Sequence, residues 1–191
     1  MQGYKGIAKE GKMSQYAIMV DLERCIGCKS CETSCKLENG IGEGRYRTKV
    51  IWTDPQGDRR LGFMSMPCMH CENPACQKSC PTGAISKRHE DGVVLMDKGK
   101  CIGCRYCVWA CPYGAMNFDA EKMVADKCTY CAHRLAQGEQ PACVSKCPGY
   151  ALSFGKKDEL MSKAKSEGRK QRGINAGKTN PSTFYLERLK P

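Results

Sequence analysis

The stretch CIGCKSCETSC, residues 25–35, places four cysteines at the spacing C-x2-C-x2-C-x3-C and decides the fold of this 191-residue chain. Residues 101–111, CIGCRYCVWAC, repeat that spacing. Two further groups keep the order but widen a gap, as C-x2-C-x4-C-x3-C over residues 68–80 and C-x2-C-x11-C-x3-C over residues 128–147. The groups use all sixteen cysteines: Cys25, Cys28, Cys31, Cys35; Cys68, Cys71, Cys76, Cys80; Cys101, Cys104, Cys107, Cys111; and Cys128, Cys131, Cys143, Cys147.

The spacing is the one with which bacterial ferredoxins hold [4Fe–4S] clusters, where the fourth cysteine of a run ligates the other cluster of a pair. Three thiolates on one tight loop each reach a different iron of a compact core, and the fourth iron is left for a cysteine from elsewhere. Four groups therefore predict four [4Fe–4S] clusters as cofactors, with all sixteen cysteines as iron ligands.

Zinc and disulfides are the competing uses of so many cysteines. A structural zinc site takes two C-x2-C pairs, so the third thiol of a C-x2-C-x2-C triple would have no role. Disulfides belong mainly to small secreted domains, and a bridge between neighbouring C-x2-C thiols closes too small a loop to remove much chain entropy. Iron–sulfur chemistry is favoured over both.

The composition limits both the core and the partners. Aromatic residues make up only 7% of the chain, so we expect the clusters to supply much of the folding free energy. The formal net charge of +11 is typical of proteins that bind nucleic acid. However, each oxidised cluster with four thiolates carries a charge of about −2, so four clusters would lower the net charge of the chain to about +3. We expect no nucleic-acid partner, because the interleaved basic and aromatic surface is missing.

Short strand-like segments alternate with the cysteine groups. Residues 17–20 and 93–96 precede groups one and three, and residues 83–86, 114–118 and 150–154 follow fourth cysteines. The segments between third and fourth cysteines are long enough for one or two helical turns. This alternation of strand-like and helical segments predicts an α+β, loop-rich fold of two ferredoxin-like units. Gly27 and Gly103 are expected to let backbone N–H groups approach the clusters.

Crossed ligation predicts how the two units are arranged. Groups two and three are adjacent and form an inner unit, residues 62–118, which is inserted in a discontinuous outer unit, residues 16–48 plus 119–155. Residues 1–15 would be an N-terminal extension, and residues 49–61 an inter-motif hairpin or loop. Residues 156–191 form a basic C-terminal tail, beginning with a short helix. We expect that tail to be disordered or docked on a partner through Phe184–Leu186.

Residues 16–155 resemble the four-cluster iron–sulfur subunits of the molybdopterin dimethyl-sulfoxide-reductase superfamily. The resemblance is carried by the cysteine groups with their neighbours, such as PCMHCENPAC, residues 67–76, and KCTYC, residues 127–131. It implies four ligand sets: set 1, Cys25, Cys28, Cys31 and Cys147; set 2, Cys35, Cys128, Cys131 and Cys143; set 3, Cys68, Cys71, Cys76 and Cys111; and set 4, Cys80, Cys101, Cys104 and Cys107. Group one departs from the family pattern, because Lys36 follows its fourth cysteine where the family has proline. The proline of the pattern is not a ligand, so the four ligands of the group are unaffected.

The resemblance also implies a function. The chain would be a non-catalytic electron-transfer subunit of an anaerobic oxidoreductase, with no catalytic residue of its own. Its partners would be a molybdopterin (molybdenum or tungsten) catalytic subunit, facing set 1, and in some complexes a quinol-binding membrane subunit. The alternative is a free-standing polyferredoxin, or an electron-transfer subunit of a hydrogenase or formate dehydrogenase complex.

The sequence also bears on the compartment. No stretch approaches the ~20 apolar residues of a membrane span, and residues 1–15 lack the apolar segment of a signal peptide. We expect no direct membrane insertion. The expected location is cytoplasmic, or periplasmic by co-export with a signal-bearing partner, with any membrane association made through a partner.

Overall fold

A computed structural model of the chain describes residues 14–53, 62–174 and 177–189. Small sheets and short helices alternate there, which confirms the α+β class. The elements are β1 (Tyr16–Asp21), α1 (Ser30–Asn39), β2 (Thr48–Thr53), β3 (Gly62–Pro67), α2 (Ala75–Lys78), β4 (Ile85–Lys87), β5 (Val94–Met96), α3 (Tyr106–Ala110), β6 (Met116–Asp119), β7 (Val124–Lys127), α4 (Ala132–Leu135), α5 (Ala142–Ser145), β8 (Leu152–Lys156), α6 (Lys157–Ser166), β9 (Gln171–Arg172) and β10 (Phe184–Leu186).

The largest sheet has the order β8-β1-β10-β9 and is built around β1. β1 pairs antiparallel with β8 and parallel with β10. Successive side chains of a strand point to opposite faces. Ala17 and Met19 therefore pack toward α6 around Ala164, whereas Ile18 and Val20 lie in the core that also contains buried cysteines. The sheet thus has α6 on one face and cysteine loops on the other.

The C-terminal tail differs from what the sequence predicts. Phe184, Tyr185 and Leu186 form β10 and are buried within the chain itself. The expectation that this apolar triplet is disordered or docked on a partner is wrong. Pairing with β1 satisfies its backbone groups, and burial of three large side chains stabilises it. The expected helix at the start of the tail is present as α6.

Three two-stranded sheets complete the fold: β2–β3, β4–β5 and β6–β7, all antiparallel. β2 and β3 flank the expected hairpin turn, and Trp52 pairs with Phe63, but residues 54–61 lie outside the described residues. Of the expected N-terminal extension, residues 1–13 also lie outside them. Gln15 Nε2 donates to the Gly92 carbonyl at 3.0 Å, so the start of the described chain contacts the loop before β5.

The sequence repeat is also a structural repeat. Lys29, before α1, and Arg105, before α3, both adopt the left-handed conformation, with φ of 60° and 62°. Each helix therefore starts after the same turn of a ligand loop. Within the described ranges, none of the helices has the length and apolar character needed to cross a membrane.

Candidate metal centres

Two of the expected ligand sets line cavities. One cavity is lined by all four cysteines of set 1, together with Gly27 and Ser65. A second is lined by all four cysteines of set 3, together with Lys127 and Thr179. In each cavity the fourth thiol, Cys147 or Cys111, comes from a cysteine group other than that of the first three.

Sets 2 and 4 are also brought together. Burial raises the pKa of the Cys35 thiol to about 12, and the nearby thiols of Cys128 and Cys131 add to the effect. The pKa of Cys143 is raised well above its ordinary value by burial and by the same three thiols. In set 4, burial and then the thiols of Cys101, Cys80 and Cys104 raise the pKa of Cys107 to about 11. The structure therefore gathers all sixteen cysteines in the four expected groupings. That they ligate iron remains a prediction.

Short helices explain why each set combines cysteines from two sequence groups. In every group the third and fourth cysteines are four residues apart, which is one helical turn. Cys31 and Cys35 both lie on α1 and are both buried, yet they serve sets 1 and 2 respectively. α1 packs against α5, whose Cys143 belongs to set 2, and α2 packs against α3 in the same way between sets 3 and 4. Each helix pair thus delivers thiols to two neighbouring sets.

The four sets form a row. Burial raises the pKa of the Cys143 thiol in set 2, and the nearby Cys31 of set 1 adds to that rise. Burial also raises the pKa of the Cys128 thiol in set 2, and the nearby Cys68 of set 3 adds to it. Sets 3 and 4 meet in one apolar cluster around Cys107, with Cys76, Cys80, Cys101 and Cys111 packed against it. The resulting order is set 1, set 2, set 3, set 4.

The residues present fit [4Fe–4S] clusters. Each set offers four thiols, the donors that these clusters take. Among the described residues, no three or more His, Cys, Asp or Glu side chains converge on a position for a single metal ion. Lys127 supports the fit independently, because it is only 1% exposed and lines the set 3 cavity. Its Nζ donates to the carbonyls of Val94 and Cys128, and no carboxylate among the described residues pairs with it. A buried ammonium requires an anion nearby, and an anionic cluster would provide one.

Two glycines shape the ligand loops. Gly27 and Gly103 have φ of +69° and +72°, a conformation that favours glycine. A Cβ would approach the Phe63 ring to 2.4 Å at Gly27, and the Met123 carbonyl oxygen to 2.6 Å at Gly103. Burial raises the pKa of the Cys25 thiol, and the nearby Gly27 backbone N–H partly offsets that rise. That these glycines let backbone N–H groups approach the clusters remains a prediction.

One polar side chain lies beside a cysteine sulfur in every set, and sequence reasoning missed all four. Ser65 Oγ is 3.4 Å from Cys31, Thr82 Oγ1 is 3.6 Å from Cys80, Thr179 hydrogen-bonds Cys71, and Asn39 Nδ2 is 3.8 Å from both Cys35 and Cys131. Asn39 follows Cys35 by one helical turn, which is a usable signal. Ser65 and Thr179 come from segments outside the cysteine motifs, so no spacing marks them.

Exposed apolar side chains lie at both ends of the row. Ile26, within the set 1 loop, is 61% exposed, and Ile102, at the equivalent position of the set 4 loop, is 66% exposed. Tyr106 and Trp109 on α3 are also exposed, with ring centroids 6.4 Å apart. Cys28 of set 1 is itself exposed. Both terminal sets therefore lie next to accessible apolar side chains.

Comparison with known proteins gives matches along most of the chain. Two family models match, each described as a 4Fe-4S dicluster domain, over residues 24–84 and 60–157. A subunit of the tetrathionate reductase of Salmonella typhimurium is 41% identical over 181 residues, covering 90% of this chain and 72% of that protein. The thiosulfate reductase electron transfer subunit PhsB of Salmonella typhi is 48% identical over 151 residues (76% and 78%). A component of the anaerobic dimethyl sulfoxide reductase of Escherichia coli is 42% identical over 160 residues (78% and 78%).

Proposed function

Because the chain belongs to the family of iron–sulfur electron-transfer subunits of tetrathionate, thiosulfate and dimethyl sulfoxide reductases, we propose that it passes single electrons through four [4Fe–4S] clusters to or from a molybdenum or tungsten catalytic subunit. The chain is an electron-transfer subunit and is not an enzyme by itself. When bound, each cluster would accept and release one electron at a time.

The observation that carries the four-cluster proposal is the row of four thiol sets. Cys31 of set 1, Cys128 and Cys143 of set 2 and Cys68 of set 3 lie in one buried cluster, and sets 3 and 4 meet in the core around Cys107. In this row every set has a near neighbour. Buried side chains such as Met69 and Tyr130 exclude water from the middle sets, and lower solvent exposure is one of the factors that tune cluster potentials.

We also propose the crossed ligand sets and the nested arrangement of the two units. The lining of the set 1 cavity by Cys147 supports the first, because this cysteine lies more than a hundred residues after Cys31. Pairing of β1 with β8 supports the second, because these strands flank the ligand loops of groups one and four. Residues 62–118 would then form the inner unit, between the two segments of the outer unit.

The two ends of the row are the proposed docking sites. We propose that the catalytic subunit covers set 1 near Ile26, as the family resemblance implies. A second partner, a quinol-binding membrane subunit, would cover set 4 near Ile102 and Trp109. Exposed apolar side chains at both places support docking there. The compartment of this chain would then follow from that of its partners.

Anaerobic copurification tests this function. A tag on this chain should retain a large subunit that contains molybdenum or tungsten. Reduction of the purified complex should bleach its visible absorbance, and addition of the oxidised substrate of the large subunit should restore it. A brown chain that copurifies with no such subunit would favour a free-standing polyferredoxin instead.

A further inference from the structure

Asn39 lies between two cysteines of set 2. It is the last residue of α1, and its Nδ2 is 3.0 Å from the Cys35 carbonyl oxygen. The same nitrogen is 3.8 Å from Cys35 Sγ and 3.8 Å from Cys131 Sγ. Cys35 and Cys131 come from different cysteine groups, so one amide reaches the sulfurs of both groups that form the set.

The orientation of this amide is determined by a positively charged neighbour. Arg47 Nη1 donates to Asn39 Oδ1 at 2.8 Å. A guanidinium has only donors, so the Asn39 atom that faces it must be the oxygen. The NH2 group must therefore face the sulfur atoms. This group lies within hydrogen-bonding distance of the Cys35 carbonyl oxygen and of both sulfurs.

Arg47 is in turn held rigidly. Its Nε and Nη2 each donate to the Asp126 carboxylate at 2.7 Å, a bidentate ion pair that also has Lys98 Nζ at 3.3 Å. Arg47 and Asp126 are both buried. Bidentate pairs of this kind fix the geometry as well as contributing energy. Asn39 therefore has little freedom to turn away from set 2.

This differs from the other sets, where the side-chain donor is a hydroxyl. In set 1, Ser65 Oγ lies 3.4 Å from Cys31 Sγ and also 3.4 Å from Thr48 Oγ1, so its single hydrogen has two acceptors to choose between. A hydroxyl hydrogen rotates to suit its surroundings, whereas the amide of Asn39 is fixed at both ends.

Hydrogen bonds to the sulfurs of an iron–sulfur cluster stabilise its more negative, reduced state and so raise its reduction potential. We propose that Asn39 raises the reduction potential of the cluster held by set 2, and that Arg47 acts as the positioning residue for its amide. This inference rests on the proposed function, since it requires a cluster at set 2. It makes set 2 the member of the row whose potential depends on a side-chain amide.

The test is a redox titration of the full chain, purified anaerobically and followed by electron paramagnetic resonance. Cys131→Ser first identifies the signal that belongs to set 2. Asn39→Leu then removes both N–H donors without adding charge. Asn39→Asp keeps an oxygen for Arg47, but as a carboxylate it has no donor for sulfur. Ser65→Ala is the matched control, because it removes the donor of set 1 only.

We expect the set 2 signal of Asn39→Leu to titrate at a more negative potential than in the wild type, with the other three signals unmoved. Asn39→Asp should shift the same signal further in that direction, and Ser65→Ala should leave it unmoved. If Asn39→Leu loses iron, the set 2 potential of Asn39→Asp tests the inference in its place. An unmoved set 2 potential in a variant with full iron content overturns the inference. A wild-type chain without four clusters would contradict the proposed function, and this inference with it.

Discussion

The hydroxyl of Tyr130 lies 2.7 Å from that of Thr183, which donates to the Cys68 carbonyl at 3.0 Å. Tyr130 and Thr183 are both essentially fully buried. Three segments meet at this point: the loop between Cys128 and Cys131, the loop that begins with Cys68, and the C-terminal segment. The cysteine-free tail is therefore part of the structure that holds sets 2 and 3.

Replacing Thr183 with Val should destabilise this junction. The change leaves the Tyr130 hydroxyl and the Cys68 carbonyl without this partner, which we expect to cost about 1–3 kcal/mol of unfolding free energy. Thermal denaturation under anaerobic conditions, together with the rate of iron release to a chelator, measures the effect. Thr33→Val, at an exposed position of α1, is the control and should behave like the wild type. Equal melting temperatures for both variants would contradict the role of the tail.

Arg169 also ties the tail to the first strand. Its Nη1 and Nη2 each donate to the Asp21 carboxylate at 2.7 Å. Burial would raise the pKa of Asp21, but hydrogen bonds from Arg169 and the Glu23 backbone, with nearby positive charges, lower it below its ordinary value of 3.8. Arg169→Met should cost about 1–3 kcal/mol, since it leaves the largely buried Asp21 carboxylate without its bidentate partner.

The pH dependence of that cost follows from the lowered pKa of Asp21. A carboxyl with a lowered pKa contributes its full stabilisation above its unfolded pKa and loses it as pH falls through the folded value. The difference in stability between the wild type and Arg169→Met should therefore stay constant from about pH 5 to 8. Arg172→Met, at an exposed neighbouring position, controls for loss of charge. A difference that changes steeply across this range would refute the assignment.

Lys127→Met should alter two clusters at once. Lys127 lies in the set 3 cavity and donates to the carbonyl of Cys128, a member of set 2. Removing its charge should shift the potentials of both sets to more negative values, or cost the chain iron from both. Redox titration and iron analysis distinguish these results. Lys100→Met, at an exposed position, should change neither. A variant with normal iron and four unchanged potentials would show that Lys127 is not the counter-charge.

Crossed ligation can be tested with single cysteine variants. Cys147→Ser should remove the same spectroscopic signal as Cys28→Ser, because both residues line the set 1 cavity. Cys128→Ser should remove a different signal, although Cys128 and Cys147 belong to one sequence group. If Cys147→Ser and Cys128→Ser lose the same signal and Cys28→Ser loses another, ligation follows the sequence groups and the nested arrangement is wrong.

Much of this site could be predicted from cysteine spacing. A C-x3-C pair spans one helical turn, so the short helices and the strands beside them follow from the sequence. β10 could not be predicted, because three residues carry no periodicity and their burial depends on pairing with β1, far away in sequence. Thr183 was missed for the same reason, since it contacts a residue 115 positions earlier. Arg47 and Asp126 form their buried pair only once the fold brings them together.

The count of iron and acid-labile sulfide in the anaerobically purified chain decides whether the four thiol sets hold four clusters. Sixteen cysteines in four sets predict about sixteen irons and about sixteen sulfides per chain, as four [4Fe–4S] clusters require. About eight of each would leave two sets without clusters and would contradict the four-cluster proposal.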